Sequence, residues 1–132
     1  MVVVIDPSAL VAVLVSEPQR IALVRATQGA DLVAPGSVHW EVGNAMSALL
    51  KRRSATLTQV QRALAAYAAI PIRLLDVAPA LALEVAAEHG LYAYDAYLIT
   101  CALGQRAPLL TLDRRLERAA TAAGVRPFEV HP

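Results

Sequence analysis

The sequence predicts an α/β fold in which helices cover both faces of a parallel sheet. Short apolar runs alternate along the chain with longer segments of helical character, and this alternation is typical of parallel sheets. The 132 residues fit a single domain over 1–132, with no recognisable linker, repeat or low-complexity block. No apolar run reaches the roughly 18 residues that a membrane span needs, so no membrane association is expected.

Four segments are predicted to be strands. The first, over residues 2–5, is a β-branched run typical of a strand that is buried on both faces. A further segment, 126–130, would form a fifth strand at an edge of the sheet, because Pro127 cannot donate a ladder hydrogen bond. The other three predicted strands are 31–35, 72–75 and 108–111.

Helices are expected between these strands, and cap residues mark several of their ends. Asp6 and Pro7 suit the start of the first helix, because Asp caps well and Pro fits the first turn. Thr56 or Thr58 can cap the fourth helix, and Gly90 can end the fifth. The predicted helices cover about 7–14, 17–29, 36–53, 56–69, 79–89, 94–103 and 113–123.

Charge and cysteine content set limits on the class of protein. The formal net charge is +1, which neither requires nor excludes a nucleic-acid partner. Basic residues cluster at 51–53 and at Arg114, Arg115 and Arg118, and a solvated helix face is the simpler explanation of either cluster taken alone. The single cysteine, Cys101, cannot form an internal disulfide, and the first residues lack the basic segment of a secretory signal. A cytoplasmic location is therefore expected.

Four carboxylates are predicted to approach one edge of the sheet. Asp6 follows the first strand and Asp113 follows the fourth, so both fall at the carboxyl edge, where open α/β sheets bind ligands. Asp95 opens the helix that leads into the fourth strand, and Glu41 lies inside the third helix. Asp6 and Asp95 adjoin strongly apolar sequence, where charges are rare unless they are paired or metal-bound.

Each acidic residue also has a purely structural explanation. Asp6, Asp95 and Asp113 all occupy positions suited to a helix N-cap, and Glu41 alone resembles a surface helix residue. Taken together they favour a cation site, because grouped carboxylates repel one another unless a cation neutralises them. Their hard oxygen atoms suit Mg²⁺ or Mn²⁺, and such an ion can activate a water for attack on a phosphate.

Three uncharged polar residues are candidates to assist the carboxylates. Asn44 lies one helical turn after Glu41, on the same face. Ser8 and Thr111 lie near the ends of the first and fourth strands, where a first-turn helix serine and a strand-end threonine explain them equally well. The sequence has no zinc-ligand spacing, glycine-rich phosphate loop or nucleophile-elbow motif.

In their order and spacing, these motifs resemble the PIN domain family. The resemblance rests on the segments 2–10, 41–44, 94–99 and 110–116, which together span most of the chain. It implies a three-layer α/β/α sandwich with a central, mostly parallel sheet. Because the chain is little more than this one domain, it also resembles the VapC-type toxins of type II VapBC toxin–antitoxin pairs.

The resemblance implies a function as well as a fold. It implies an endoribonuclease that depends on Mg²⁺ or Mn²⁺, is inhibited by a small cognate antitoxin protein and forms a homodimer. Where some relatives carry another acidic or amide residue, this chain has Arg114 and Arg115, which argues against a second tightly held metal and offers cations for a phosphate. The implied metal and catalytic residues are Asp6, Glu41, Asp95 and Asp113, with Ser8, Asn44 and Thr111 at supporting polar positions.

Other functions remain open on the sequence alone. A PIN fold whose acidic site does not cut would be a binding module, and an RNA-maturation nuclease would cut RNA without being toxic. A Mg²⁺-dependent phosphatase fits less well, because Asp6 has no second Asp two residues later. The apolar residues of segments 10–14 and 21–24 are explained by ordinary core packing or, alternatively, by an antitoxin-binding surface.

Overall fold

The structure, a computed structural model, describes residues 1–15 and 17–131. The described chain contains a four-stranded sheet in the order β3-β2-β1-β4, and every strand pairing is parallel. Parallel pairing brings the carboxyl ends of all four strands to the same edge of the sheet. The strands are β1 (Val2–Ile5), β2 (Asp31–Pro35), β3 (Ile72–Leu75) and β4 (Leu109–Leu110).

Seven helices connect and cover the strands in the described part of the chain. The longest of these, α3, has 14 residues, and none of the described helices has the length and hydropathy needed to cross a membrane. The helices are α1 (Pro7–Leu14), α2 (Arg20–Ala26), α3 (Val38–Lys51), α4 (Leu57–Ala69), α5 (Pro79–His89), α6 (Ala93–Gln105) and α7 (Arg114–Ala122).

Strand β1 lies at the centre of the molecule and is buried on both faces. Val3 and Ile5 point to one face, where they pack in a cluster with residues of α1 to α4. Val4 points to the other face and packs in a second cluster with α6 and α7. Helices therefore cover both faces of the sheet, and the predicted three-layer α/β/α sandwich is confirmed.

The predicted caps Asp6, Thr56 and Gly90 are confirmed, whereas α2 and α6 differ from the prediction. Helix α2 was predicted over 17–29 but covers only Arg20–Ala26.

Asp95 was predicted to open α6, but this helix begins at Ala93 and Asp95 lies inside its first turn. The helix was predicted to end at residue 103, but it includes Gly104 and ends at Gln105, followed by the C-cap Arg106, whose backbone is left-handed (φ 51°). A glycine costs a helix only about 1 kcal/mol, so packing of the flanking residues decides the length.

The predicted fifth strand is wrong, and β4 is shorter than predicted. Segment 126–130 makes a single parallel bridge beside β4, between Leu109 and Pro127. The N–H of Leu109 donates to the carbonyl of Arg126 at 3.1 Å, and the N–H of Phe128 donates to the carbonyl of Leu109 at 2.9 Å. Pro127 has no N–H to donate, which fits a short edge contact instead of a longer ladder.

Leu98 and Leu103 of α6 provide a matched test of this packing. Leu98 is fully buried in the cluster beneath α6 and α7, whereas the side chain of Leu103 is 40% exposed on the same helix. We expect Leu98→Ala to lower the free energy of unfolding by about 2–5 kcal/mol, because it leaves a cavity. Leu103→Ala should cost about 1 kcal/mol or less. If urea denaturation shows that both variants lose the same free energy of unfolding, the described packing of Leu98 and Leu103 is contradicted.

Candidate active site

Asp6 is the most buried carboxylate of the candidate site. It follows β1, and its backbone N–H donates to the carbonyl of Leu110 at 2.9 Å, which fixes it beside the end of β4. Only 6% of the residue is exposed. Burial raises the pKa of Asp6, and hydrogen bonds from Ser8 and Thr111 partly offset this effect by stabilising the ionised form.

Ser8 and Thr111 hold the carboxylate of Asp6 from two directions. The Ser8 hydroxyl donates to Asp6 Oδ2, as does its backbone N–H at 3.2 Å, and the Thr111 hydroxyl donates to the same oxygen at 2.8 Å. Each hydroxyl oxygen in turn accepts a backbone N–H, from Leu112 at 2.9 Å for Ser8 and from Asp113 at 3.0 Å for Thr111. Because each hydroxyl oxygen already accepts a hydrogen bond from a backbone N–H, the hydroxyl proton is free to point at Asp6.

Glu41 projects from α3 toward Asp6 and Asp95. Its Oε2 atom is buried and has no hydrogen-bond partner among the described residues. Burial, followed by the charges of Asp6 and Asp95, raises the pKa of Glu41 to about 7. A buried carboxylate oxygen without a donor is costly, which indicates that this position is suited to a cation or a bound water.

Asp95 and Asp113 complete the acidic group from α6 and α7. Asp113 caps α7, since its Oδ1 accepts the N–H groups of Arg115 at 2.9 Å and Leu116 at 3.2 Å. The charge of Asp113 also contributes to the raised pKa of Asp6. Asp95 accepts a hydrogen bond at Oδ2 from Nη2 of Arg115 at 2.9 Å, and the same nitrogen lies 3.7 Å from Oδ2 of Asp113.

The remaining predicted residues lie at the margin of this group. Asn44 is exposed one turn beyond Glu41, with no side-chain hydrogen bond to any described residue, and Arg114 is exposed at the start of α7. Ser37 was not predicted. It is the N-cap residue of α3, one turn before Glu41, and its buried hydroxyl likewise lacks a partner within residues 1–15 and 17–131. Its spacing of four residues from Glu41 is the signal that could have identified it.

The donor set fits a hard divalent cation. Carboxylate oxygens are the ligands that Mg²⁺ and Mn²⁺ prefer, and the unpartnered Glu41 Oε2 is an oxygen of this kind. In the described part of the chain, however, no three acidic, histidine or cysteine side chains are already arranged to share one ion. Arg115 accounts for part of this difference, because it holds Asp95 in an ion pair. The charge of Asp113 contributes to the raised pKa of Asp6, and the charges of Asp6 and Asp95 contribute to that of Glu41, but these described carboxylates are not preassembled around a metal.

The raised pKa of Glu41 makes the stability of the metal-free protein depend on pH. Glu41 binds its proton more tightly in the folded chain (pKa about 7) than in the unfolded chain, where its pKa is near 4.5. Stability should therefore fall as pH rises from about 4.5 through about 7. We expect Glu41→Gln to reduce this fall, measured by urea denaturation in EDTA at pH 5 and pH 8. An unchanged fall in the variant would show that Glu41 does not carry a raised pKa.

Comparisons with known proteins support the fold. The structure of PAE2754 from Pyrobaculum aerophilum is 22% identical, with 89% of this chain and 83% of that chain covered and a TM-score of 0.63. The structure of VapBC2 from Rickettsia felis, bound to a DNA fragment from its promoter, is 15% identical, with 99% and 100% covered and a TM-score of 0.68. At these identities the likeness shows the fold alone.

A family model gives the more specific result. Among curated protein sequences, none matches this chain significantly. The PIN domain model matches residues 3–122, which include the four strands except for Val2, together with the four carboxylates of the site. The resemblance inferred from the sequence motifs is therefore confirmed at the level of the family: the chain belongs to the PIN domain family.

Proposed function

We propose that this protein is a Mg²⁺- or Mn²⁺-dependent endoribonuclease that acts as the toxin of a toxin–antitoxin pair. PIN domains are generally nucleases. The observation that carries the proposal is the buried, unpartnered Glu41 oxygen beside the carboxylates of Asp6 and Asp95. Three acidic groups that interact at the carboxyl edge of a parallel sheet need a cation, and a hard cation serves phosphodiester hydrolysis.

The four carboxylates would have different roles in such a site. Asp6, kept in one orientation by Ser8 and Thr111, and Asp95 would be the principal metal ligands. Glu41 and Asp113 would hold waters around the ion, or a second ion. The bound ion would supply an activated water for in-line attack and neutralise charge on the phosphate.

The arginines at the start of α7 fit an RNA substrate. Arg114 and Arg115 are exposed and follow Asp113 directly, and the guanidinium of Arg115 lies beside Asp95 and Asp113, where it can also meet a phosphate that approaches the carboxylates. Guanidinium binds phosphate oxygens in a bidentate manner and retains its charge at any physiological pH. Such cations offset the repulsion between an acidic site and a polyanion.

The surface also offers a place for an antitoxin. Helices α1, α3 and α4 border a groove of about 620 Å³, lined by Val13, Leu14, Leu49, Val60 and Ala63 among others. Of the two segments considered as an antitoxin surface, 10–14 contributes Val13 and Leu14 to this groove. In segment 21–24, Ile21 and Val24 are exposed but do not line the groove. Leu10 and Leu23 are core residues. We propose that an antitoxin segment covers this apolar region of a homodimeric, cytoplasmic toxin.

Cleavage of RNA by the purified protein tests the metal-dependent activity. We expect Asp6→Asn to lower the rate with Mn²⁺ by roughly 100-fold or more, because lost metal ligation removes several kcal/mol of transition-state stabilisation. Asp76→Asn is the matched control, since Asp76 is exposed after β3 and forms no ion pair with any described residue. Undiminished cleavage by Asp6→Asn would overturn the assignment of the site.

Expression in a bacterial host separates the toxin from its rivals. We expect induction of the wild-type chain to arrest growth, Asp6→Asn to leave growth unaffected, and co-expression of a small neighbouring gene product to relieve the arrest. Cleavage of RNA in vitro without growth arrest would instead favour an RNA-maturation nuclease. A protein that binds RNA but neither cleaves it nor binds Mn²⁺ would favour a catalytically silent PIN-fold module.

A further inference from the structure

We propose that Arg115 is an internal counter-ion of the acidic site, which a divalent cation must displace from Asp95 in order to bind. Arg115 would thereby set the metal affinity of the protein. The proposal rests on the proposed metal-dependent function, because it concerns how the same carboxylates receive their cation. It assigns to Arg115 a role in the metal-free protein that is separate from contact with RNA.

The contact between Arg115 and Asp95 is direct. Nη2 of Arg115 donates to Oδ2 of Asp95 at 2.9 Å and lies 3.7 Å from Oδ2 of Asp113, so one guanidinium nitrogen faces two carboxylates. The Asp95 side chain is 19% exposed, whereas that of Arg115 is 61% exposed. The anion is therefore largely enclosed, and the cation reaches it from solvent.

The start of α7 fixes where this guanidinium can reach. The Arg115 backbone N–H is bound by Asp113 Oδ1 at 2.9 Å, so the Arg115 side chain originates beside one acidic residue and extends to a second. A charge placed there reduces the repulsion between carboxylates from α6 and α7. Because the side chain is mostly exposed, it can leave for solvent at small cost once another cation takes its place.

A metal ion and the guanidinium compete for the same atoms. Asp95 Oδ2 accepts the hydrogen bond from Arg115 Nη2 in the metal-free protein, and a divalent ion that uses this oxygen must break that hydrogen bond. The ion is also repelled by a positive charge held a few ångströms away. Removal of the guanidinium should therefore strengthen metal binding, although it takes away a residue that lies within the site.

The test compares Mn²⁺ binding by calorimetry, in the absence of RNA, for the wild type and two variants. We expect Arg115→Gln to bind Mn²⁺ roughly two- to five-fold more tightly, the range set by the strength of exposed ion pairs. Arg118→Gln is the control, because it removes the same charge one turn further along the same face of α7. Arg118 forms no ion pair with any residue in the described ranges, so its variant should bind Mn²⁺ like the wild type.

The outcomes separate this proposal from the function on which it rests. Equal Mn²⁺ affinity in the wild type and Arg115→Gln, or an equal gain in both variants, would overturn the displacement and leave the metal-dependent nuclease intact. Absence of Mn²⁺ binding in the wild type and both variants would overturn the two together. Binding only by Arg115→Gln would support the displacement in its strongest form. Circular dichroism of each variant establishes that it is folded.

Discussion

The hydrogen bonds to the buried carboxylate of Asp6 are the interaction on which the site depends. They join the first turn of α1, through Ser8, to the end of β4, through Thr111, and the two hydroxyls are themselves fixed by backbone N–H groups. A charge with so little exposure would be unfavourable without these donors. The same contacts therefore hold two strand ends together and orient one oxygen ligand.

The other carboxylates make this arrangement electrostatically demanding. Asp113 and Glu41 both interact with Asp6, and Glu41 leaves an oxygen without a donor. The metal-free chain reduces the repulsion in two ways: Glu41 retains a proton up to about pH 7, and Arg115 pairs with Asp95. Both responses would be replaced by a divalent cation. The metal-free acidic site is thus electrostatically incomplete.

The predictability of each feature follows from the range of the interactions that determine it. The strands over 31–35 and 72–75 agree with the prediction because short apolar runs between turn residues depend on local sequence. The fifth strand at 126–130 fails because its pairing depends on how β4 meets the edge, which is a non-local property. Helix α6 begins two residues before Asp95, and its N-cap residue Tyr92 makes no side-chain capping hydrogen bond, so no local cap signal marks its start. The pairing of Arg115 with Asp95 joins residues 20 positions apart and has no signature in sequence spacing.

Crystals grown with Mn²⁺, with anomalous scattering measured at the manganese edge, would show directly whether these carboxylates bind a metal ion. We expect an anomalous peak between the carboxylates of Asp6 and Asp95, with Glu41 oriented toward the ion or its waters. We also expect that Arg115 no longer contacts Asp95. Absence of a peak at saturating Mn²⁺, with Arg115 still bound to Asp95, would contradict the claim that these carboxylates form a metal-dependent nuclease site.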